Sequence, residues 1–367
     1  MQHSIDRIFL ILTYALVVIG FCIFSSASLG LLAREGARFS SVAISQILFG
    51  IVGGSIALFI TSMVHYRWWR QYAFYFFAFS LILTSLVFID KIGLEHGGAV
   101  RWLRIGSFSF QPSELLKLGF IIYIATWLSG MRSQVKSFVN GTLPFIGLIV
   151  LAGVPLLKQP DTDTFLIMVA SALAMFITAG GRFRDVIGMV VGGVFLVLIL
   201  AHFRPYVQER IDVFLHPEVD QRGSGWQINQ SLIAIGSGGI VGRGFGQSIQ
   251  KFEYLPEPIS DSIFAVYAEE FGFVGSLVLV FLFTGFALRG YRIATHSSDF
   301  FGMLLVVGII TLILAQVFLN IAAMVALAPL SGLPLPFISH GGTALFVLLA
   351  AVGIVLSVSK NQRSTTH

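Results

Sequence analysis

The chain has 367 residues, 56% of them hydrophobic and only 11% charged, with a mean hydropathy of +0.87. Soluble domains carry about a quarter charged residues, so a soluble globular fold is excluded and the sequence reads as a polytopic membrane protein. The one cysteine, Cys22, excludes a disulfide framework and any paired-cysteine metal or redox site, and the net charge of +5 acquires meaning only when split by membrane side.

A membrane-crossing helix takes about 20 mostly apolar residues. The first such run, 8–28, follows Arg7 and ends in the small residues Ser25 to Ser28. It is longer than the roughly 7–15 apolar residues of a signal peptide, so an uncleaved first span is expected. Further spans are expected at 43–63, 71–89, 112–129, 141–157, 164–180, 186–203, 262–288, 300–326 and 343–359, about ten in all by the length rule. The expected fold is therefore an all-α polytopic membrane protein. Residues 1–367 would form one integral membrane domain, with no soluble domain before or after it. One hydrophilic stretch is long, 204–261, between the seventh and eighth spans.

Lys and Arg in the short loops set orientation. With the N-terminus inside, the inner side holds Arg7, Arg67, Arg70, Arg132, Lys136, Arg182, Arg184, Arg289, Arg292, Lys360 and Arg363. Its only acids are Asp6, Asp185 and Asp299. That is the positive-inside pattern, and it puts both termini in the cytoplasm and the 204–261 loop outside. No nucleotide pool exists there to supply energy. Group transfer on that side needs a substrate already activated, most plausibly a lipid-linked one.

Four outer stretches are too polar for their positions. In "GGAVRWLRIGSFSFQPSELLKL", Pro112 suits the first position of a helix and Glu114 the third. Lys117 then lies near the unfavourable positive end of the helix dipole and needs an anionic partner or a wet cavity. A structural Glu114–Lys117 pair and a substrate-phosphate site are equally open readings. Arg101, beside Trp102, reads as an interfacial anchor, with substrate-anion binding as the alternative. In "KQPDTDTF", Asp161 and Asp163 open the sixth span as capping residues.

The third stretch is the long loop, with glycines at 236, 238, 239, 242, 244 and 246 that allow close backbone approach. It holds no Walker pattern. Its "QSLIAIGSG" reads as a short interfacial helix, and Glu253 and Glu257 bring acids near Asp261. The fourth is "LAPLSGLPLPFISHGGT", where three prolines and three glycines break an apolar run at membrane depth. Irregular backbone is tolerated there only when it lines protein or a water-filled cavity. A re-entrant segment is expected, with Ser339 and His340 as polar lining and no metal role for His340.

Asp261 stands where the loop becomes the eighth span. Ser260 or Asp261 could cap that helix, and a base is the equally open reading. The helix end would keep Asp261 ionised. Glu269 and Glu270, inside the apolar run, read as partners in the lower wall of the site.

Taken together, "GGAVRWLRIG…FQPSELLKL", "QPDTDT", "GSGWQINQSLIAIGSGGIVGRGFGQSIQKFEYLPE", "SDSIFAVYAEEFGFVG" and "GLPLPFISHGG" resemble the SEDS family (shape, elongation, division and sporulation) over nearly the whole chain. "GRGFGQSIQKFEYLPE" is more similar to the division-type members than to the elongation-type ones. The resemblance implies a peptidoglycan glycosyltransferase that polymerises lipid II in the bacterial cytoplasmic (inner) membrane, at the division septum. Its implied partners are a class B penicillin-binding protein and other divisome proteins; nucleic acid is not among them. The family's catalytic aspartate falls on Asp261, its lysine after "QPSE" on Lys117, and its glutamate before "YLPE" on Glu253. The sequence departs from the family pattern around Asp261, where "ISDSIFA" replaces the usual "HTDFIFA". It also departs at Asp163 (usually glycine), at His340 (usually tyrosine) and at Ser109 (often basic in division-type members).

The reaction so implied is an inverting transfer. Asp261 takes the proton from the acceptor sugar's 4-hydroxyl, that oxygen attacks the donor's anomeric carbon, and undecaprenyl pyrophosphate leaves. Lys117, with Arg101 or a divalent cation (Mg or Mn, none built in), would hold the pyrophosphate. Glu114, Glu253 and Glu257 would position sugars or cations. Two other classes remain open: a lipid II transporter, since broken helices and intramembrane carboxylates also mark transporters, and a non-catalytic scaffold for a transpeptidase.

Overall fold

The computed structural model describes residues 5–34, 36–89, 92–96, 99–105, 108–203, 205–217, 220 and 223–362. At 34, 36–38, 95–96, 99, 105, 108, 200–201, 205–206 and 253 it describes the backbone alone. In chain order the helices are α1 (Arg7–Arg34), α2 (Gly36–Ile44), a π-helical stretch Ser45–Gly53, α3 (Gly54–Met63) and α4 (Arg67–Ser85). After a small sheet come α5 (Pro112–Gly130), α6 (Leu143–Lys158), α7 (Thr162–Thr178) and α8 (Phe183–Phe203). The rest are α9 (Pro205–Leu215), α10 (Ser224–Ser237), α11 (Gln250–Glu253), α12 (Ile263–Thr295), α13 (Phe300–Met324) and α14 (Gly342–Ser359).

All the expected spans fall on helical stretches. Among the described residues, seven helices are both long and apolar enough to cross a membrane: Arg7–Ala33, Phe39–Met63, Arg67–Phe88, Phe138–Lys158, Ile263–Thr295, Phe300–Met324 and Gly342–Ser359. Thr162–Thr178 is apolar but shorter.

The all-α expectation needs one amendment. Strands β1 (Gly93–His96), β2 (Ala99–Ile105) and β3 (Phe108–Phe110) form an antiparallel sheet in that order. β1 and β2 pair up to His96 opposite Ala99. Gly93 is required there, because a Cβ would lie 2.3 Å from the Val87 carbonyl oxygen. The sheet leads straight into α5 through Gln111, and Pro112 opens that helix with Glu114 in its first turn, as the sequence predicts.

The centre of the bundle is α13, whose Leu304, Leu305, Val306 and Ile310 are fully buried. It packs against α5, α7 and α12. Lipid tails give helices no hydrophobic reason to associate, so close approach and buried hydrogen bonds must hold them. Gly308 of α13 admits the Met175 side chain, and its carbonyl accepts from the Ser171 hydroxyl at 2.7 Å. Gly353 of α14 sits against Thr61 of α3, whose hydroxyl donates to the Ala350 carbonyl at 2.9 Å.

The long loop is not irregular throughout, since it contains α9, α10 and α11. The expected short helix at "QSLIAIGSG" is the second half of α10. The segment around 239–244 then splices into α12. At Gly272 the helix breaks, with φ 65° and ψ −163°, a conformation open essentially to glycine alone. Beyond the break, the Phe273 and Val274 amides donate to the Gly239 and Ile240 carbonyls at 2.9 and 3.0 Å. Before it, the Glu269 and Glu270 carbonyls accept from the Arg243 and Gly244 amides at 3.0 and 2.9 Å. The loop thus replaces the hydrogen bonds that an unbroken helix would have made across Gly272.

Candidate active site

The site is assembled around two amides on α13. Gln316 and Asn320 are one turn apart on one face of that helix. Gln316 donates to the Pro334 carbonyl at 2.7 Å, and its own oxygen accepts from the Lys117 ammonium at 3.1 Å. The Asn320 amide donates to the Leu333 and the Asp261 carbonyls, each at 2.8 Å. Backbone without helical bonds at membrane depth must find partners in protein, and these two side chains supply them. The segment between α13 and α14 is non-helical, with Leu333, Leu335, Phe337 and Ile338 buried.

Ser339 and His340 clamp that segment to the loop just before Asp261. The Ser339 hydroxyl donates to the Ser260 carbonyl and accepts from the Leu335 amide at 2.7 Å. The His340 amide donates to the Ile259 carbonyl at 2.7 Å, and its ring stacks on Phe24 with centroids 5.8 Å apart. Gln46, in the π-helical stretch, accepts from the Gly341 amide at 3.0 Å. A widened turn that carries a polar side chain inward is a common use of π-helical geometry.

Lys117 and Glu114 are both buried and form an ion pair at 2.9 Å, one turn apart on α5. The pair answers the cost of a cation near the positive end of a helix. It does not use up the ammonium, which has three donors, of which Glu114 and Gln316 take two. Lys117, Glu114, Gln316, Ser339 and His340 line one cleft with Pro334, Leu335 and apolar residues of α13 and α14. It encloses about 610 Å³ of space, part of it open to the surroundings.

Asp261 stands beside this cleft rather than in its wall. It is tied to the cleft through Asn320 and through the Ser260–Ser339 contact. Its Oδ2 accepts from the Gln227 amide of α10 at 3.3 Å. Its Oδ1 is enclosed and has no hydrogen-bond partner among the described residues. Burial pushes the Asp261 carboxyl up to about 7, with the Glu257 charge adding to the rise and the Gln227 amide and nearby backbone amides opposing it. Two sequence expectations are corrected here. The N-cap position of α12 is Ser262, not Ser260 or Asp261, and it makes no side-chain capping bond. The helix end does not keep Asp261 strongly ionised, because desolvation outweighs it and leaves the group poised near neutrality.

Arg101 lies on β2 and reaches toward Gly332 of the broken segment. Its guanidinium donates to the Gln159 carbonyl at 3.2 Å and to the Pro160 carbonyl, at the turn between α6 and α7. Asp161 is buried at that turn, holds the N-cap position of α7 and makes no side-chain capping bond. Burial pushes its carboxyl up, against the Arg101 charge. Asp163 pairs with Arg210 of α9 at 2.7 Å, which ties the loop to α7 rather than capping the helix. Glu257 is exposed and holds a left-handed backbone, φ 46°, with its carbonyl accepting from the Ser260 amide at 3.1 Å. The side chain of Glu253 lies outside the described residues.

Glu269 and Glu270 turn toward the loop. Glu269 accepts from the Ser248 hydroxyl at 2.6 Å and from the Ile249 and Gln250 amides at 3.1 and 3.3 Å, closing the start of α11. Glu270 forms a fully buried pair with Lys251 at 2.8 Å, and Ser26 of α1 bonds both partners. The residues missed in the sequence are amides: Gln46, Gln227, Gln316 and Asn320. "LAQVFLN" carried the signal, two amides at helical spacing inside an apolar span.

Fold and site together define a multi-pass helical membrane protein with a charged cleft where a broken segment meets an acid-bearing loop. The model of the cell cycle protein family FtsW/RodA/SpoVE matches residues 6–364. Stage V sporulation protein E of Bacillus subtilis is 38% identical over 364 residues, covering 99% of both chains. A probable peptidoglycan glycosyltransferase FtsW of Geobacter metallireducens is 38% identical over 98% of this chain and 96% of its own. The solved rod shape determining protein RodA of Thermus thermophilus superposes with a TM-score of 0.72 at 26% identity, over 98% of each chain. A chain of a solved peptidoglycan synthase complex, described for its coordination of polymerization and crosslinking, reaches a TM-score of 0.80 over 98% of this chain and 99% of its own. At 24% identity that likeness speaks for the fold alone. The chain belongs to the FtsW/RodA/SpoVE family of cell cycle proteins, as the resemblance in its motifs implies.

Proposed function

We propose that this glycosyltransferase polymerises lipid II into glycan strands at the outer face of the bacterial cytoplasmic membrane, with Asp261 as general base. The observation that carries this is the Asp261 carboxyl. Oδ2 is held by Gln227, Oδ1 is enclosed without a partner, and burial pushes the group up to about 7 beside a cleft that holds a buried ammonium. A base with a pKa near the working pH is both sufficiently ionised and sufficiently basic to take a hydroxyl proton, a role worth about 10²–10⁴-fold in rate.

In this reading the acceptor's 4-hydroxyl gives its proton to Asp261 Oδ1. Its oxygen attacks the donor's anomeric carbon with inversion, and the bond to undecaprenyl pyrophosphate breaks. Lys117, fixed by Glu114 and Gln316, faces the leaving pyrophosphate with its remaining donor. Arg101 sits at the α6–α7 turn, where a pyrophosphate oxygen would replace a carbonyl partner. Ser339 and His340 hold the wall, and Glu257 and Glu253 would position sugars or cations. A Mg or Mn ion would arrive on the pyrophosphate. Among the described residues no three His, Cys, Asp or Glu side chains group closely enough to cage a metal.

The same proposal includes ten spans, cytoplasmic termini, the 204–261 loop outside, and a septal location in division. A class B penicillin-binding protein is the proposed partner, together with other divisome proteins. Purified chain in liposomes, given lipid II, is expected to make polymer without accelerating lipid II flipping. Flipping without polymer, with or without the transpeptidase, would establish the transporter reading. Neither activity, with division intact in an Asp261→Asn strain, would establish the scaffold.

A further inference from the structure

Gln227 is fixed before it reaches Asp261. It lies in the first turn of α10, whose Ile228 and Ser231 are buried. Gly225 packs so closely that a Cβ would lie 2.2 Å from the Pro217 carbonyl oxygen. Trp226 donates through its indole nitrogen to the Tyr254 carbonyl at 3.0 Å. From that anchored turn the Gln227 Nε2 donates to the Ser262 hydroxyl oxygen at 2.8 Å and to Asp261 Oδ2 at 3.3 Å. Both hydrogens of the amide are thereby used, and only its NH₂ end can face a carboxylate oxygen. Asn320 meanwhile holds the Asp261 carbonyl at 2.8 Å.

We propose that Gln227 is a positioning residue for the base: its amide holds one oxygen of Asp261 and leaves the other free for the acceptor hydroxyl. The inference rests on the reading of Asp261 as base. A donor to one oxygen stabilises the ionised form and fixes the carboxylate plane, so α10 sets the basicity of a group that stands just before α12. The groups facing Asp261 from each packed element are few. Among the described residues, Gln227 of α10 and Glu257 of the preceding loop act on the carboxyl itself, and Asn320 of α13 holds its main-chain carbonyl; the His340 amide stops at the Ile259 carbonyl, and Lys117 of α5 reaches Asp261 only through Gln316 and the α13 face. Glu257 is the one carboxylate among them, and it acts against ionisation.

The test is the pH–rate profile of lipid II polymerisation by the purified full chain, comparing wild type, Gln227→Met, Gln227→Glu and Asp261→Asn. Methionine keeps the length and loses the donor. Its acid limb is expected to move up by about 0.5–1 pH unit, a rate loss of about 3–10-fold below the midpoint that shrinks at alkaline pH. Glutamate keeps every heavy-atom position and adds a like charge, so its limb moves further in the same direction. Limbs with the wild-type midpoint in both variants, whatever the amplitude, would reduce Gln227 to a structural contact and overturn the inference while leaving the base in place. Full activity in Asp261→Asn would instead overturn the base reading, and this inference with it.

Discussion

Replacing Gly272 with alanine is expected to undo the splice between the long loop and α12. The residue holds φ 65° and ψ −163°, and forcing an L-residue into such a region costs about 1–3 kcal/mol. The added Cβ would lie 2.3 Å from the Gly242 amide nitrogen and 2.7 Å from the Ile240 carbonyl oxygen. Both are backbone atoms of the inserted loop, so the loop must withdraw. That withdrawal breaks the hydrogen bonds donated by the Arg243, Gly244, Phe273 and Val274 amides, each worth about 0.5–1.5 kcal/mol net. The combined loss is about 3–9 kcal/mol. Gly147→Ala on α6 is the control, because a Cβ there meets nothing within 4 Å and alanine improves helix propensity by up to about 1 kcal/mol. Thermal unfolding in detergent, followed by the loss of the monodisperse chromatographic peak, should place Gly272→Ala well below wild type and Gly147→Ala at or above it. Equal midpoints for the two variants would refute the splice as a source of stability.

The wild-type polymerisation rate is expected to rise with pH through about 7, falling about tenfold from pH 8 to pH 6 as the carboxylate takes up its proton. Stability runs the other way. The Asp261 pKa is raised from 3.8 to about 7, so its contribution is fully present below the unfolded value and is lost as pH rises through the folded one. Asp261→Asn should therefore melt higher than wild type at pH 8, with the gap closing toward pH 4. Lys117→Met and Glu114→Gln should each destabilise by about 3–5 kcal/mol, because each strands a buried charge. The double variant should recover most of that loss in the same melting assay, since it removes both charges.

Most of the helical architecture could be read from apolar runs of sufficient length, and the broken segment from its prolines and glycines at membrane depth. The sheet before α5 escaped that reading, because its strands are short. Lys117 and Asp261 stood out because charge at such positions is costly, and the structure ties both to one face of α13, Lys117 through Gln316 and the Asp261 backbone through Asn320. Those amides carry no charge, so composition gave them no prominence. Glu269 and Glu270 looked equally costly, yet their partners Ser248, Lys251 and Ser26 lie far away in sequence or in a loop of unknown path. Their role in folding the loop needed three dimensions. The distinction between a capping and a basic Asp261 likewise turned on burial, which the one-dimensional pattern does not contain.

The account stands most directly on one rate. Asparagine at 261 keeps the size of the side chain and an acceptor for the Gln227 amide, and it removes the base. At pH 8 the wild-type carboxylate is mostly ionised, so the comparison with Asp261→Asn reads the base alone. The initial rate of lipid II polymerisation by the purified variant is predicted to fall by about 10²–10⁴-fold, with an unchanged chromatographic profile. A rate within a few-fold of wild type would contradict the assignment of Asp261 as the base.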